Sequence, residues 1–117
     1  MKDVREMLKE LTEGNMALAK VRPEVIPAFS GFMKTNGSNS ALSAKNKELI
    51  SVAISAYIRC EYCIVYHVYC AYKAGATKDE IIDAAMTAMG FGGGPTMAYT
   101  STLLMASVNE FEKDFAK

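Results

Sequence analysis

Apolar residues recur at helical spacing along nearly the whole chain, and loop signals cut the pattern roughly every 15 to 20 residues. That rhythm leaves little room for a sheet. It predicts short helices folding back on one another rather than one long coiled coil. Val4, Met7, Leu8 and Leu11 open the first stripe, and Gly14–Asn15 is expected to bend or end it. Pro23 suits the first turn of a second helix, with Glu24 near its positive end. The run Thr35–Asn36–Gly37–Ser38–Asn39–Ser40 reads as a loop, after which Ser43 caps a third helix through Leu49, Val52, Ala53 and Ala56. A fourth helix is expected over Cys63 to Ala74, stopping at Gly75. Thr77–Lys78–Asp79–Glu80 is a capping box opening a fifth helix through Ile81, Ile82, Ala85 and Met89. Gly92–Gly93–Gly94–Pro95 then breaks the chain before a last helix striped by Leu104, Val108, Phe111 and Phe115. The expected fold is therefore all-α, a bundle of about six helices forming a single domain over residues 1–117.

A chain of 117 residues buries roughly two-thirds of its unfolded surface, enough for a core without disulfide staples. Thirteen basic residues balance thirteen acidic ones with no block of either sign, which argues against a nucleic-acid surface. No apolar run reaches the length of a membrane span, about 18 residues or more. The first eighteen residues alternate charged and apolar side chains as an amphipathic helix does, not as a signal peptide does. Cytoplasmic residence is the expectation. In that reducing setting, closely spaced cysteines are more often redox-active or metal-binding than structural.

The chemistry-bearing cluster is Cys60–Glu61–Tyr62–Cys63 with His67 one helical turn beyond. On a helical wheel Cys60, Cys63, His67 and Cys70 share an arc of roughly 80°. Cys63 and His67 are an i, i+4 pair, and Cys60 and Cys63 an i, i+3 pair that permits a disulfide at a helix start. Thiol redox chemistry needs a stabilised thiolate, a nearby base and a second thiol that resolves the oxidised intermediate. The cluster supplies all three, with Cys63 placed for direct service by His67 and Cys60 as its partner. Other readings remain open at this level. The cysteines can be small core hydrophobes. Metal binding is disfavoured, because four ligands on one helical face do not readily surround an ion. Periodicity alone puts Glu48 with Ser51, Ser55 and Arg59 on a polar, solvated stripe. Glu48 joins the cluster only if the chain turns near Arg59. Tyr62, Tyr66 and Tyr69 form a stripe about 100° away, suited to packing in the core or against another subunit. The triple glycine lacks the Lys-Ser/Thr of a phosphate loop and reads as an interhelical break. The eight methionines read as pliable core filler.

Glu48-x11-Cys60-x2-Cys63-x3-His67 resembles the signature of the AhpD-like alkylhydroperoxidases within the carboxymuconolactone decarboxylase family. Leu42–Ile50, Ala74–Ile82 and the Gly92–Pro95 break resemble the family's flanking segments, so the likeness covers about Leu42 to Tyr99. It implies an all-helical fold and homo-oligomers, commonly trimers or hexamers. It also implies reduction of hydroperoxides or disulfides by a Cys60/Cys63 pair, with Glu48 and His67 as a proton relay. Re-reduction would come from a dithiol such as dihydrolipoamide or a thioredoxin-type protein, and no metal, haem or flavin is required. The decarboxylase branch that names the family generally lacks this C-x-x-C, so lactone decarboxylation is not expected. Two alternatives are a general protein-disulfide reductase and a non-enzymatic redox sensor or scaffold.

Overall fold

In the computed structural model, which describes residues 3–116, the chain is helical with no strand among those residues. Helix α1 spans Val4–Val21, α2 Val25–Asn36, α3 Ala44–Ile58, α4 Glu61–Lys73, α5 Lys78–Tyr99 and α6 Met105–Phe115. A π-helical turn, Thr100–Leu104, joins the last two. The expected all-α bundle of about six helices is the fold observed.

Local chemistry sets most of the boundaries. Asp3 caps α1 by accepting from the Arg5 and Glu6 amides, and Ser43 caps α3 by accepting from the Asn46 amide. Thr77 and Glu80 form the reciprocal capping box at the start of α5. Gly75, at φ 97°, ends α4 in the left-handed region, with the Ala76 amide donating back to the Ala71 carbonyl. Inside α5, Gly93 (φ 62°, ψ −144°) kinks the axis, so the glycine break lies where the sequence puts it. Neighbouring Gly92 is required by space. A Cβ there would come within 1.8 Å of Thr96 Oγ1 and 3.3 Å of the Tyr57 ring.

Three expectations need correction. Gly14–Asn15 neither bends nor ends α1, which runs on to Val21. An exposed glycine costs a helix only about 1 kcal/mol, too little to break one anchored elsewhere. Pro23 lies in the turn before α2, which begins at Val25. The methionines also divide. Met7 is sealed in the core, whereas Met16, Met33, Met86 and Met97 are exposed.

Helix α4 runs through the middle of the core. Its Ile64, Val65 and Val68 are fully buried, with Val52 and Ala56 of α3, Ile81 and Ala85 of α5, and Leu104, Val108 and Phe111 of the C-terminal stripe. Phe111 packs edge-on to Tyr69 at 5.1 Å, and Tyr72 stacks on Phe115 at 5.7 Å. The buried Tyr72 hydroxyl donates to the Val108 carbonyl at 2.9 Å. At the rim Arg5 of α1 forks onto Asp114 of α6 at 2.8 and 3.1 Å. Such an exposed pair orients more than it stabilises. A scaffold held this firmly along α4 can fix the side chains that α4 presents to α3.

Candidate active site

The link between α3 and α4 is two residues long, and it creates the site. Arg59 adopts the left-handed conformation (φ 58°, ψ 43°), the one non-glycine residue to do so among those described. Its amide and that of Cys60 both donate to the Ser55 carbonyl, closing the end of α3. Cys60 then returns to extended backbone and caps α4, its Sγ accepting from the Cys63 amide at 3.3 Å. The chain doubles back, and α4 lies along α3.

That reversal carries Glu48 to the cluster. Glu48 Oε2 and His67 Nδ1 are 3.1 Å apart, with both side chains largely shielded from solvent. The solvated-stripe reading of Glu48 is therefore wrong. Ser55 is buried, and the Ser51 and Ser55 hydroxyls donate to the carbonyls of Lys47 and Ser51, four residues back. Back-bonded hydroxyls satisfy themselves and let a nominally polar face pack inward.

Cys60 and Cys63 are joined by a disulfide, with their Cα atoms 5.1 Å apart. Both are half-buried, at the start of α4. Cys63 is the third residue of that helix, where unpaired amides and the positive dipole end favour an anionic sulfur once the disulfide is reduced. His67 follows Cys63 by one turn, about 6 Å along the axis. The order along the α3–α4 seam is thus sulfur pair, imidazole, carboxylate. All four residues singled out from sequence lie on this seam. Among the described residues no cluster of three or more His, Cys, Asp or Glu side chains is arranged to hold a metal ion.

Two neighbours escaped the sequence reading. Tyr66, assigned to a stripe turned away from the cluster, packs edge-on against the His67 ring at 5.1 Å and 78°. The wheel angle tracks Cα directions, whereas a phenol ring is wide enough to reach the residue beside it. Tyr62, inside the C-x-x-C, donates to Glu10 of α1 at 2.7 Å and ties the start of α4 to the first helix. The adjacency of Tyr66 to His67 was a usable signal for the first. Nothing in the sequence pointed to the second.

Cys70, the free thiol, is a different kind of cysteine. Burial pushes it up to about 11, with Glu48 adding to the rise and a Tyr66 hydrogen bond opposing it. Repulsion from a Cys70 thiolate, with burial, in turn pushes the Tyr66 phenol up to about 12. Because a raised thiol pKa keeps sulfur protonated and unreactive below it, iodoacetamide at about pH 8 should label Cys60 and Cys63 in the reduced protein and spare Cys70. Mass mapping over a pH series should show Cys70 labelling rising only as pH approaches 11. Equal labelling of all three cysteines at pH 8 would contradict the assignment.

An all-helical fold carrying a C-x-x-C disulfide at a helix start, with an imidazole one turn on along the same helix paired to a carboxylate of the adjoining helix, defines a class of thiol-bearing helical proteins. Residues 23–105 match the family model described as carboxymuconolactone decarboxylase family, and this chain belongs to that family. It is 31% identical over 102 residues to an uncharacterised protein of Cupriavidus necator, covering 87% of this chain and 90% of that one. It is 32% identical over 77 residues to uncharacterised protein 4 in the cox locus of Paracoccus denitrificans, covering 66% and 69%. In three dimensions it resembles the crystal structure of an apo carboxymuconolactone decarboxylase family protein from Legionella pneumophila. The TM-score is 0.82 at 29% identity, over 97% of each chain.

Proposed function

We propose that the protein is a thiol-dependent peroxidase that also reduces small disulfides, cycling Cys60 and Cys63 between dithiol and disulfide. One observation supports this reading above the rest: the Glu48–His67 pair stands behind a disulfide at a helix N-terminus. Inert core cysteines would need no such backing.

The cycle begins with reduced Cys63. Its thiolate attacks the outer oxygen of a hydroperoxide, forming an S–O bond as the O–O bond breaks. The departing alkoxide takes a proton from His67, which Glu48 holds and recharges, and leaves as an alcohol. Cys60 then attacks the Cys63 sulfur of the sulfenic acid. The S–S bond forms, the S–O bond breaks, and hydroxide leaves as water with a second proton. A dithiol reductant of the dihydrolipoamide or thioredoxin type donates two electrons and two protons to restore the pair. The sum is one hydroperoxide and one dithiol converted to alcohol, water and disulfide. We also propose that the working form is a homo-oligomer in the cytoplasm.

The test is consumption of an alkyl hydroperoxide by the purified protein with dihydrolipoamide or a thioredoxin-type reductant present. Sustained turnover is expected, and a single stoichiometric oxidation would mean a sensor instead. Faster turnover of a protein disulfide than of a hydroperoxide would move the assignment to disulfide reductase. Within the same assay Glu48→Gln should slow the peroxide step by roughly 100-fold, the scale of a lost acid–base group. Its unfolding free energy should change by less than about 1 kcal/mol, because the isosteric amide keeps an oxygen to accept the pair's one hydrogen bond. An unchanged rate would remove Glu48 from the relay.

A further inference from the structure

Arg59 turns the chain with its backbone alone, which leaves its side chain free for another task. Its left-handed conformation (φ 58°, ψ 43°) is one that glycine holds at least cost, so a long cationic side chain there needs a reason. The residue is exposed, stands directly before Cys60 and pairs with no carboxylate among the described residues.

Arg59 lines a recess of about 440 Å³ between the end of α3 and the glycine kink of α5. Tyr57 and Phe91 give the recess aromatic walls, and Gly92, Pro95 and Thr96 also line it. The guanidinium is the one charge in that lining. Thr96 is fully buried, and its hydroxyl has no hydrogen-bond partner among the described residues. Buried hydroxyls are nearly always partnered, so one left over in the wall of a cavity is a donor in reserve. The helix carrying Thr96 runs straight into the π-helical turn Thr100–Leu104, a distortion that recurs beside functional sites. Thr100, in that turn, leaves a second buried hydroxyl unpartnered.

We propose that the recess is a substrate subsite for a small organic anion, in which Arg59 grips a carboxylate while Tyr57 and Phe91 flank its apolar body. A guanidinium forks onto a carboxylate with two parallel N–H donors. One cation, with no acid beside it in the lining, matches a single carboxylate better than the double charge of a phosphate. Aromatic walls favour a carbon body over a bare inorganic ion. Binding turns Thr96 to a second staggered rotamer, exchanging a sealed, unpartnered hydroxyl for a charged hydrogen bond. A ligand held by Arg59 lies one residue from Cys60, so a disulfide or hydroperoxide on the same molecule is delivered to the sulfur pair. That the ligand is a substrate rests on the thiol redox reading; that the recess binds an organic anion does not.

The test uses the purified, disulfide-bonded protein and two probes of one shape, hexanoate and hexanamide. In titrations followed by amide NMR, hexanoate should shift Arg59, Gly92, Gly93 and Thr96. It should bind roughly tenfold more tightly than hexanamide, the scale of a charged hydrogen bond. Arg59→Gly suits the left-handed turn, so circular dichroism should stay helical while hexanoate loses its advantage. Thr96→Val keeps the shape without the hydroxyl, so Tm should not fall while hexanoate binding weakens about threefold. Equal binding of the two probes, binding of neither, or an Arg59→Gly variant that keeps the preference would overturn the proposal. So would full-strength binding to Thr96→Val. With the reduced protein, dithiodipropionate should be consumed faster than its uncharged diamide, and Arg59→Gly should erase that ratio. In this exchange the Cys60–Cys63 bond forms as the probe's S–S bond breaks, and two thiols leave with the two protons. Hexanoate binding as stated with neither disulfide nor hydroperoxide consumed would support the anion site and sink the redox reading. Turnover without any charge preference would do the reverse.

Discussion

Cys63→Ser is expected to abolish hydroperoxide turnover, bringing consumption down to the rate of buffer and reductant alone. A serine hydroxyl at the third position of α4 still sits at the positive helix end, one turn before His67. It does not ionise near neutrality, however, and cannot form the sulfur bonds of the cycle. Cys60→Ser separates the two thiols. It should permit one attack on peroxide, after which Cys63 remains as a sulfenic acid that dimedone traps and mass spectrometry reads. If Cys63→Ser retains turnover while Cys60→Ser loses it without trapping, the thiols have been assigned the wrong way round. If neither change alters the rate, the disulfide is structural.

Phe111→Ala should produce the largest loss of stability of any single truncation. Phe111 is the largest fully buried side chain, touching Tyr69 edge-on and lying under the Arg5 guanidinium at 5.5 Å from the ring centroid. It therefore joins α1, α4 and α6. Truncating such a ring costs about 3–5 kcal/mol, the lost transfer energy plus the cavity left behind. That is a large share of the roughly 5–15 kcal/mol by which a domain is stable. Urea denaturation should show the midpoint falling with an unchanged slope, and Tm falling by roughly 15 °C. A loss under about 1 kcal/mol would mean that α6 contributes little to the core.

Much of this architecture was legible before any coordinates. Ser43, the Thr77–Glu80 box and Gly75 announce helix ends because caps and left-handed glycines satisfy backbone groups in ways few residues can. The Leu104, Val108, Phe111, Phe115 stripe is legible because helical periodicity is the signature of a buried face. Within the site, Cys60, Cys63 and His67 are near neighbours in sequence and could be placed on one helix. Glu48 could not be joined to them by periodicity, because its approach depends on Arg59 taking a conformation that glycine usually fills. The family resemblance supplied that link where local rules were silent. Solvation of the Ser51–Ser55 face was misjudged because serine that bonds to its own helix is polar in name only. Side-chain lateral reach, which brings Tyr66 to His67, lies outside any pattern of Cα spacing. The bare α2 surface is likewise invisible in one dimension, since an exposed helix face can carry the same apolar residues as a buried one.

The role of Cys60 at the head of α4 has a consequence for how this protein can vary. Serine, threonine, aspartate and asparagine all serve that backbone duty as well as sulfur does or better, so helix integrity places no demand on a thiol there. Under the proposed cycle, what sulfur adds at this position is the disulfide with Cys63, not the cap. A descendant relieved of that chemistry would be free to drift to an oxygen-bearing residue in one mutational step and keep its architecture intact. On the proposed cycle, the identity of residue 60 is a marker, readable from sequence, of whether a relative can close this disulfide.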